Sequence, residues 1–305
     1  MPVLQAPTDE RATHRGGDAA VTWTARLRTV EQDPFFFDHP LDHLPAALLI
    51  DGATELVERI AGADADSRPA WRVHALELEF GRFTEKHLPV EITARALPGT
   101  PGGWRVHCLQ QDRAVCDGRI HAVAVPAPGS PGAVGLPGPR AGEDRGPRRD
   151  TMVAPELVHR HRPENVLLAG YRNHGPGGYS AELLSPPRGH HLRTRSGGTG
   201  VELRSLTELT EAARQFVTLL GHQSRRVDFD RRYVVASLRA ATARPVRRAE
   251  RVRLWTDALP PVCGGDVRVR FSASGGPVGE ARFSGYAMSP AAYRRLRGAS
   301  AGGTR

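Results

Sequence analysis

This chain repeats itself, and the repeat limits the folds open to it more than any other feature of its 305 residues. Setting Asp51 against Glu211, 160 positions on, also sets Leu78 on Leu238, Ile92 on Val252 and Ala94 on Leu254. One further inserted residue brings Gly118 to Gly279. A single offset shared by a helix, two strands and a turn glycine is the signature of a duplicated structural unit. Each unit reads as one long helix followed by a meander of strands, an α+β pattern. Such a unit buries both its apolar faces when an antiparallel sheet wraps the helix. Two copies of one unit commonly associate about a two-fold axis, so the chain is expected to form an intramolecular pseudo-dimer.

The first helix is predicted from Pro45 to Ala61, after a proline-punctuated lead-in that begins at Pro34. Proline is tolerated in a first helical turn, and no later proline interrupts the segment. Leu49, Ala53, Leu56, Val57 and Ile60 recur at helical spacing and should face a core, with Asp51, Thr54, Glu55 and Glu58 on the other side. The second helix opens at Ser205, with Glu208 three residues on as in a capping box, and is predicted to close on Gly221. Strands are predicted over Val21–Val30, Trp71–Phe83, Leu88–Leu97, Trp104–Leu109, Arg119–Val125 and Tyr179–Leu184. The chain then divides into a disordered N-terminus (1–18), a first unit (19–125), a Pro/Gly-rich linker (126–150), a second unit (151–297) and a disordered tail (298–305).

The net charge is +9, and Lys86 is the only lysine, so nearly all the basic charge is arginine. A positive surplus favours acidic partners. The arginines are scattered, and no basic stripe interleaves with aromatics, which argues against nucleic acid. Cys108, Cys116 and Cys263 form no CxxC pair and are expected to be reduced thiols. The start of the chain lacks an apolar leader segment, and no apolar run approaches the ~18 residues of a membrane span. A cytoplasmic protein without membrane contact is therefore expected. His159 and His161 lack a third ligand at metal spacing, so no metal is expected. The glycines from Gly197 to Gly200 lack the lysine and helix of a P-loop.

Two stretches resemble the A-factor biosynthesis (AfsA-like) family of double-hotdog proteins. The first runs Phe37-Asp38-His39-Pro40-Leu41-Asp42-His43-Leu44-Pro45. The second combines Val158-His159-Arg160 and Glu164-Asn165-Val166-Leu167 with Glu211-Ala212-Ala213-Arg214-Gln215. The segment Ser289 to Leu296 is similar to the end of a family repeat. The resemblance touches both halves and implies a tandem double hotdog, each repeat a long central helix wrapped by a curved antiparallel sheet. It also implies an acyltransferase of γ-butyrolactone-type signal synthesis. A β-ketoacyl group would pass from the phosphopantetheine of acyl carrier protein to the hydroxyl of dihydroxyacetone phosphate, with no other cofactor. Two departures stand out. The repeat with Asp38 to His43 comes first here, whereas in the family it comes second. The first helix has Asp51, Thr54 and Glu55 where the second keeps Glu211, Arg214 and Gln215.

Acyl transfer from a thioester to a hydroxyl needs a base, donors for the developing oxyanion and an apolar slot for the chain. Glu211 and Arg214, three apart on one helix side, can act on one ligand: Glu211 as base, Arg214 as the fork for phosphate or oxyanion. Asp51 is the matching acid of the first helix. His39, Asp42 and His43 precede the first helix, whose N-terminus attracts negative charge, and with Gln215 they are candidate substrate contacts. Each has an ordinary alternative: a surface ion pair for Glu211 and Arg214, a helix cap for Asp42, turn packing for the histidines. The Phe35-Phe36-Phe37 run reads as core rather than as an acyl tunnel. A hotdog dehydratase or thioesterase, with Glu211 serving proton abstraction or water, is the rival enzyme. A pseudo-enzyme that binds an acyl ligand without turnover is the rival from another class.

Overall fold

The structure is a computed structural model that describes Leu4 and residues 21–29, 31, 33–38, 41–63, 70–125, 149–194, 202–261, 264–274 and 276–301. His39, Cys263, Gly197 to Gly200 and most of the expected linker lie outside the described residues. The first half runs β1 (Thr22–Arg26), α1 (Ala46–Ala63), β2 (Ala70–Phe80), β3 (Glu91–Ala96), β4 (Gly103–Gln110) and β5 (Arg113–Val125). The second runs β6 (Leu168–Asn173), β7 (Tyr179–Leu183), α2 (His191–Thr194), β8 (Leu203–Arg204), α3 (Leu206–Arg225) and β9 (Arg232–Thr242). It continues through β10 (Val246–Arg247), β11 (Val252–Thr256), β12 (Gly265–Ala273), β13 (Gly276–Met288) and α4 (Pro290–Ala301).

Among the described residues an 11-stranded antiparallel sheet runs β1-β3-β4-β5-β2-β9-β13-β12-β11-β7-β6. From the β2–β9 seam outward, each half repeats the other: β5, β4, β3, β1 on one side and β13, β12, β11, β7 on the other. In that seam Leu78 lies directly opposite Leu238, so the local two-fold passes between the two residues that the 160-residue offset equates. The α1 helix packs across β2 to β5 and α3 across β9, β12 and β13, and the two helices also touch each other. This is the hotdog arrangement expected, a helix wrapped by a sheet, present in both halves.

The helix-to-helix contact corrects one expectation. The apolar stripe of α1 is buried as predicted, but Asp51, Thr54 and Glu55 on its opposite side are buried as well. There Thr54 Oγ1 meets Thr207 Oγ1 of α3 at 3.4 Å. A helix between its own sheet and a second helix has no fully wet face.

The α3 helix starts as predicted, with the Glu208 amide donating to Ser205 Oγ at 3.1 Å. It does not stop at Gly221 but runs on to Arg225 and ends on left-handed Arg226. Gly221 is there for space: a Cβ would sit 2.1 Å from Tyr233 Oη. The tail expectation also shifts, since α4 is helical through Ala301. Leu4, placed in the expected disordered N-terminus, is buried and bridges to Leu27.

Gly118 and Gly279 are not equivalents across the seam. Gly118 faces Leu78, whereas Gly279 faces Thr242, and Phe283 is the residue that faces Leu238. Both glycines still permit close strand approach: a Cβ would lie 1.9 Å from Glu77 O at Gly118 and 2.2 Å from Ala241 O at Gly279. Neither carbonyl can swing away without giving up the ladder. Gly118→Ala is therefore expected to cost about 3 kcal/mol of stability, the upper range for overpacking, read as a lower denaturant midpoint. An unchanged midpoint would mean that β5 slides freely along β2.

Candidate active site

A cavity of about 710 Å³ opens where the two halves meet. One wall is Leu41 to Ala47, the loop before α1 and that helix's first turn; the opposite wall brings Arg160 together with Glu211 and Arg214 of α3. The start of β9, the turn after β2 and the α4 residues Tyr293 and Arg294 complete it. Phe36, Leu44, Leu49, Phe80 and Val235 give it an apolar body. Arg82, Arg231, Arg232 and Arg294 also line it, and among the described residues none of the four has a carboxylate partner within ion-pair distance. A greasy chamber with an arginine-bearing lining suits a ligand with an apolar tail and an anionic end.

Glu211 is the most constrained group in the cavity. Its Oε1 accepts from Arg160 Nη2 at 2.6 Å, Arg214 Nη2 at 2.8 Å and Gln215 Nε2 at 2.9 Å; its Oε2 accepts from Arg214 Nε at 2.8 Å. Burial alone would raise its pKa, but the Arg160 and Arg214 guanidiniums outweigh burial and hold the carboxyl well below the usual carboxylate range. The balance that the sequence leaves open therefore falls on the acidic side, and the surface ion-pair alternative fails because Glu211 is only 2% exposed at its side chain.

Arg160 spans the two halves. Its Nη1 donates to Phe35 O at 2.6 Å, and its guanidinium lies 4.8 Å over the Phe35 ring. Arg214 is 27% exposed at its side chain, which leaves it a face toward the cavity. Burial would lower its pKa, but Glu211 more than compensates and raises it.

Gln215 does not line the cavity. Its Oε1 accepts from the Leu167 amide at 2.9 Å and its Nε2 donates to Asn165 O at 2.8 Å, so it fastens the loop before β6 to α3. Its place among the substrate contacts is thus corrected to a structural one, because its amide is engaged by the backbone of Asn165 and Leu167 and by Glu211. Asp38, just before the expected contact His39, accepts from the amides of His161 and Arg162, each at 3.1 Å, and ties the two lead-in loops together.

Asp42 and His43 are at the cavity as expected. His43 Nδ1 lies 2.7 Å from Asp42 Oδ1, which also accepts from Tyr293 Oη at 2.6 Å. Burial lowers the pKa of His43 while Asp42 works against that shift. Burial alone would raise that of Asp42, but the Tyr293 hydroxyl and then His43 bring it below its ordinary value. Tyr293 stands 250 residues from His43 in sequence, which is why reading local motifs missed it. Arg160 was missed differently: it sits in a recognised motif, but only the fold shows that its charge meets Glu211 of α3.

Asp51 is not at this cavity. Its side chain is fully buried with Oδ2 at 2.7 Å from His191 Nε2. Phe35 stacks on His191, with rings 5.7 Å apart and 7° from parallel, and Phe36 meets it edge-on at 4.7 Å. Phe35 is core, as expected, whereas Phe36 is buried but also lines the large cavity, so the run is not core alone. Beside it His190 is pushed down to about 4 by burial, then by His191 and Arg160.

The two-fold predicts a mirror cavity, and there is one, of about 170 Å³. Arg72 and Val73 line it where Arg232 and Tyr233 line the large one. Leu203 and Leu206 replace His43 and Ala46, and Thr242 and Ala243 replace Arg82 and Phe83. The small cavity therefore has two leucine side chains where the large one has an imidazole and an alanine. Among the described residues no three His, Cys, Asp or Glu side chains group as metal ligands, and no helix is long and apolar enough to cross a membrane.

Comparison with known proteins adds to this geometry. The family profile of the A-factor biosynthesis hotdog domain (AfsA) matches residues 143–285. Over 80 residues the chain is 36% identical to a 2-oxo-3-(phosphooxy)propyl 3-oxoalkanoate synthase of Streptomyces virginiae. That match takes in 26% of this chain and 26% of the relative, so the chain spans about a quarter of the length of the curated relative it matches.

The fold is similar to the bifunctional dehydratase-cyclase domain of ambruticin biosynthesis, with TM-score 0.53, 14% identity and 97% and 99% of the two chains covered. It is also similar to the 12:0-ACP thioesterase of Umbellularia californica, with TM-score 0.50, 12% identity and 90% and 100% covered. A protein with hot dog fold from Alicyclobacillus acidocaldarius matches with TM-score 0.50, 10% identity and 92% and 98% covered. At such identities the likeness is one of fold, and it runs through both halves. Most of the second unit, residues 143–285, is thus similar to the A-factor biosynthesis (AfsA) hotdog domain.

Proposed function

We propose that this protein is an acyltransferase that moves a β-ketoacyl group from an acyl carrier protein thioester to the hydroxyl of dihydroxyacetone phosphate, in the synthesis of a γ-butyrolactone-type signalling molecule. The single observation that carries the reading is the 710 Å³ cavity, where an apolar chamber adjoins the Arg160–Glu211–Arg214 cluster. The family and the name of the curated relative support the substrate pair.

In this reading the acyl chain lies among Leu44, Leu49, Phe80 and Val235. Arg214 offers its open face to the phosphate or to the oxyanion of the tetrahedral intermediate, and its planar fork suits either. The N-terminus of α1, whose residues Ala46 and Ala47 line the cavity, adds its positive dipole end to the same charge. Glu211 positions the two guanidiniums instead of taking a proton, since its oxygens already accept four charge-assisted or amide hydrogen bonds. The two units are the halves of an intramolecular pseudo-dimer derived from one duplicated module. One crevice holds a chamber of about 710 Å³ and the other one of about 170 Å³.

Purified protein incubated with β-ketoacyl carrier protein, with and without dihydroxyacetone phosphate, tests the reading by mass spectrometry. A phosphorylated ester formed only when the acceptor is present is the expected product. Free acid or an enoyl product would point to a thioesterase or dehydratase, and an unchanged acyl carrier to a binding protein. Arg214→Lys is expected to lower ester formation about 10²-fold, because an ammonium cannot replace a two-pronged donor at a developing charge. A rate equal to wild type would take Arg214 out of the site.

A further inference from the structure

The groups of this cavity that could move a proton are not equally able to do so. Glu211 has both oxygens engaged by guanidinium and amide donors. His159 meets His222 Nε2 through its own Nε2 at 2.9 Å, and His222 Nδ1 is in turn 2.7 Å from Val227 O. Burial pushes the Tyr233 phenol up to about 12, and burial with Asp42 raises that of Tyr293 too.

His43 differs. Its Nδ1 faces Asp42 Oδ1, a carboxylate oxygen that can only accept, so Nδ1 carries the ring proton and Nε2 keeps the lone pair. No described residue engages Nε2, and the ring is 23% exposed in the cavity lining. Asp42 is itself held from α4: Tyr293 Oη donates to it at 2.6 Å, and Arg297 Nη2 donates to its backbone carbonyl at 3.2 Å. Phe83 meets the imidazole edge-on at 5.2 Å. A ring gripped at one nitrogen and open at the other is the usual arrangement of a positioned base.

We propose that His43 is the catalytic base of this cavity, with Asp42 and Tyr293 as its positioning residues. The proposal rests on the acyl-transfer reading. His43 Nε2 takes the proton of the acceptor hydroxyl as that oxygen bonds to the thioester carbonyl carbon. The carbon–sulfur bond then breaks, and the departing thiolate takes the same proton back from Nε2. Nothing is oxidised or reduced and no further reactant is needed. The C-terminal helix thereby becomes part of the active site, which explains why the chain continues past β13 to place Tyr293 and Arg297 over the loop before α1.

The test follows thiol release and ester formation separately for His43→Ala and Asp42→Asn, with folding checked by thermal melts. Thiol release by His43→Ala is expected to fall about 10²–10⁴-fold with KM within about threefold of wild type, and added imidazole should restore part of it. The charged groups facing His43 are Asp42, Glu85 and Arg297, with Tyr293 beside them; Asp42 and Glu85 favour its protonated form and Arg297 opposes it. Removing the Asp42 charge should therefore move the ascending limb of the rate–pH profile to lower pH while the plateau drops. Imidazole rescue together with that movement supports the proposal, and absence of either overturns it, as does near-wild-type release by His43→Ala. Wild-type thiol release without ester would sink the acyl-transfer reading and leave His43 still tested on release. A wild-type protein inert toward the thioester would sink both.

Discussion

Glu211→Gln should lose about 3–5 kcal/mol of folding stability, the cost of taking one member out of a buried charge cluster. Arg160 and Arg214 both point at this carboxylate, and the Arg160 side chain is only 5% exposed. Gln keeps the shape but offers an N–H₂ where a guanidinium needs an acceptor, so two positive charges are left facing each other away from water. The urea midpoint at neutral pH reads the loss, and a change below about 0.5 kcal/mol would mean that water reaches the cluster freely. The pH dependence has a definite sign. The folded protein holds Glu211 below its ordinary value of 4.5, so its contribution is complete above that value and is lost as the pH falls through the folded pKa. The gap between wild type and Glu211→Gln should therefore be widest near neutrality and narrow in acid. Replacing Arg160, Glu211 and Arg214 together by apolar residues of similar volume should cost far less, since no charge is then stranded.

Phe35→Ala should also cost about 3–5 kcal/mol, the range for emptying a buried phenylalanine site. Phe35 is 1% exposed and touches Phe36, His190, His191 and the Arg160 guanidinium. The void would open beside the Asp51–His191 pair on one side and Arg160 on the other, neither of which can move to fill it. Phe35→Leu keeps much of the volume and should cost less than half as much. Ester formation should fall in Phe35→Ala even under conditions where it stays folded, because Arg160 loses the ring that levels its guanidinium. Full activity in a folded Phe35→Ala protein would show that Arg160 is held by Glu211 and Phe35 O alone.

How far such effects could be read from the sequence depends on the range of the forces involved. The helix of Ser205 was legible because its cap is made within three residues, and the apolar stripe of α1 because helical period is local. Its far side was misjudged, since nothing local announces that Asp51 meets His191 or that Thr54 meets Thr207 of α3. Gly221 looked like a helix end, as glycine usually is, yet its role is set by Tyr233 of β9, on a different element. The Gly118–Gly279 match failed for a related reason: strand register is decided by pairing, and a glycine can be required at either place by a close carbonyl. At the site, Glu211, Arg214, Asp42 and His43 do share one cavity, although the loop and the helix are some 170 positions apart in the chain. Asp51, matched to Glu211 by the 160-residue offset, does not.

Local pattern was enough, then, to point to a repeated helix-and-sheet module, to the course of its two long helices and to the side chains that could do acid, base or anion chemistry. Tertiary structure alone decided which of the two crevices holds the larger chamber, that Glu211 is a clamped anion, and that Tyr293 and Arg160 line the same cavity. The division has a physical origin. Helical period and caps arise from neighbours a few residues away, whereas cavity volume, desolvation and the field of a guanidinium depend on distances in space that the order of residues does not contain.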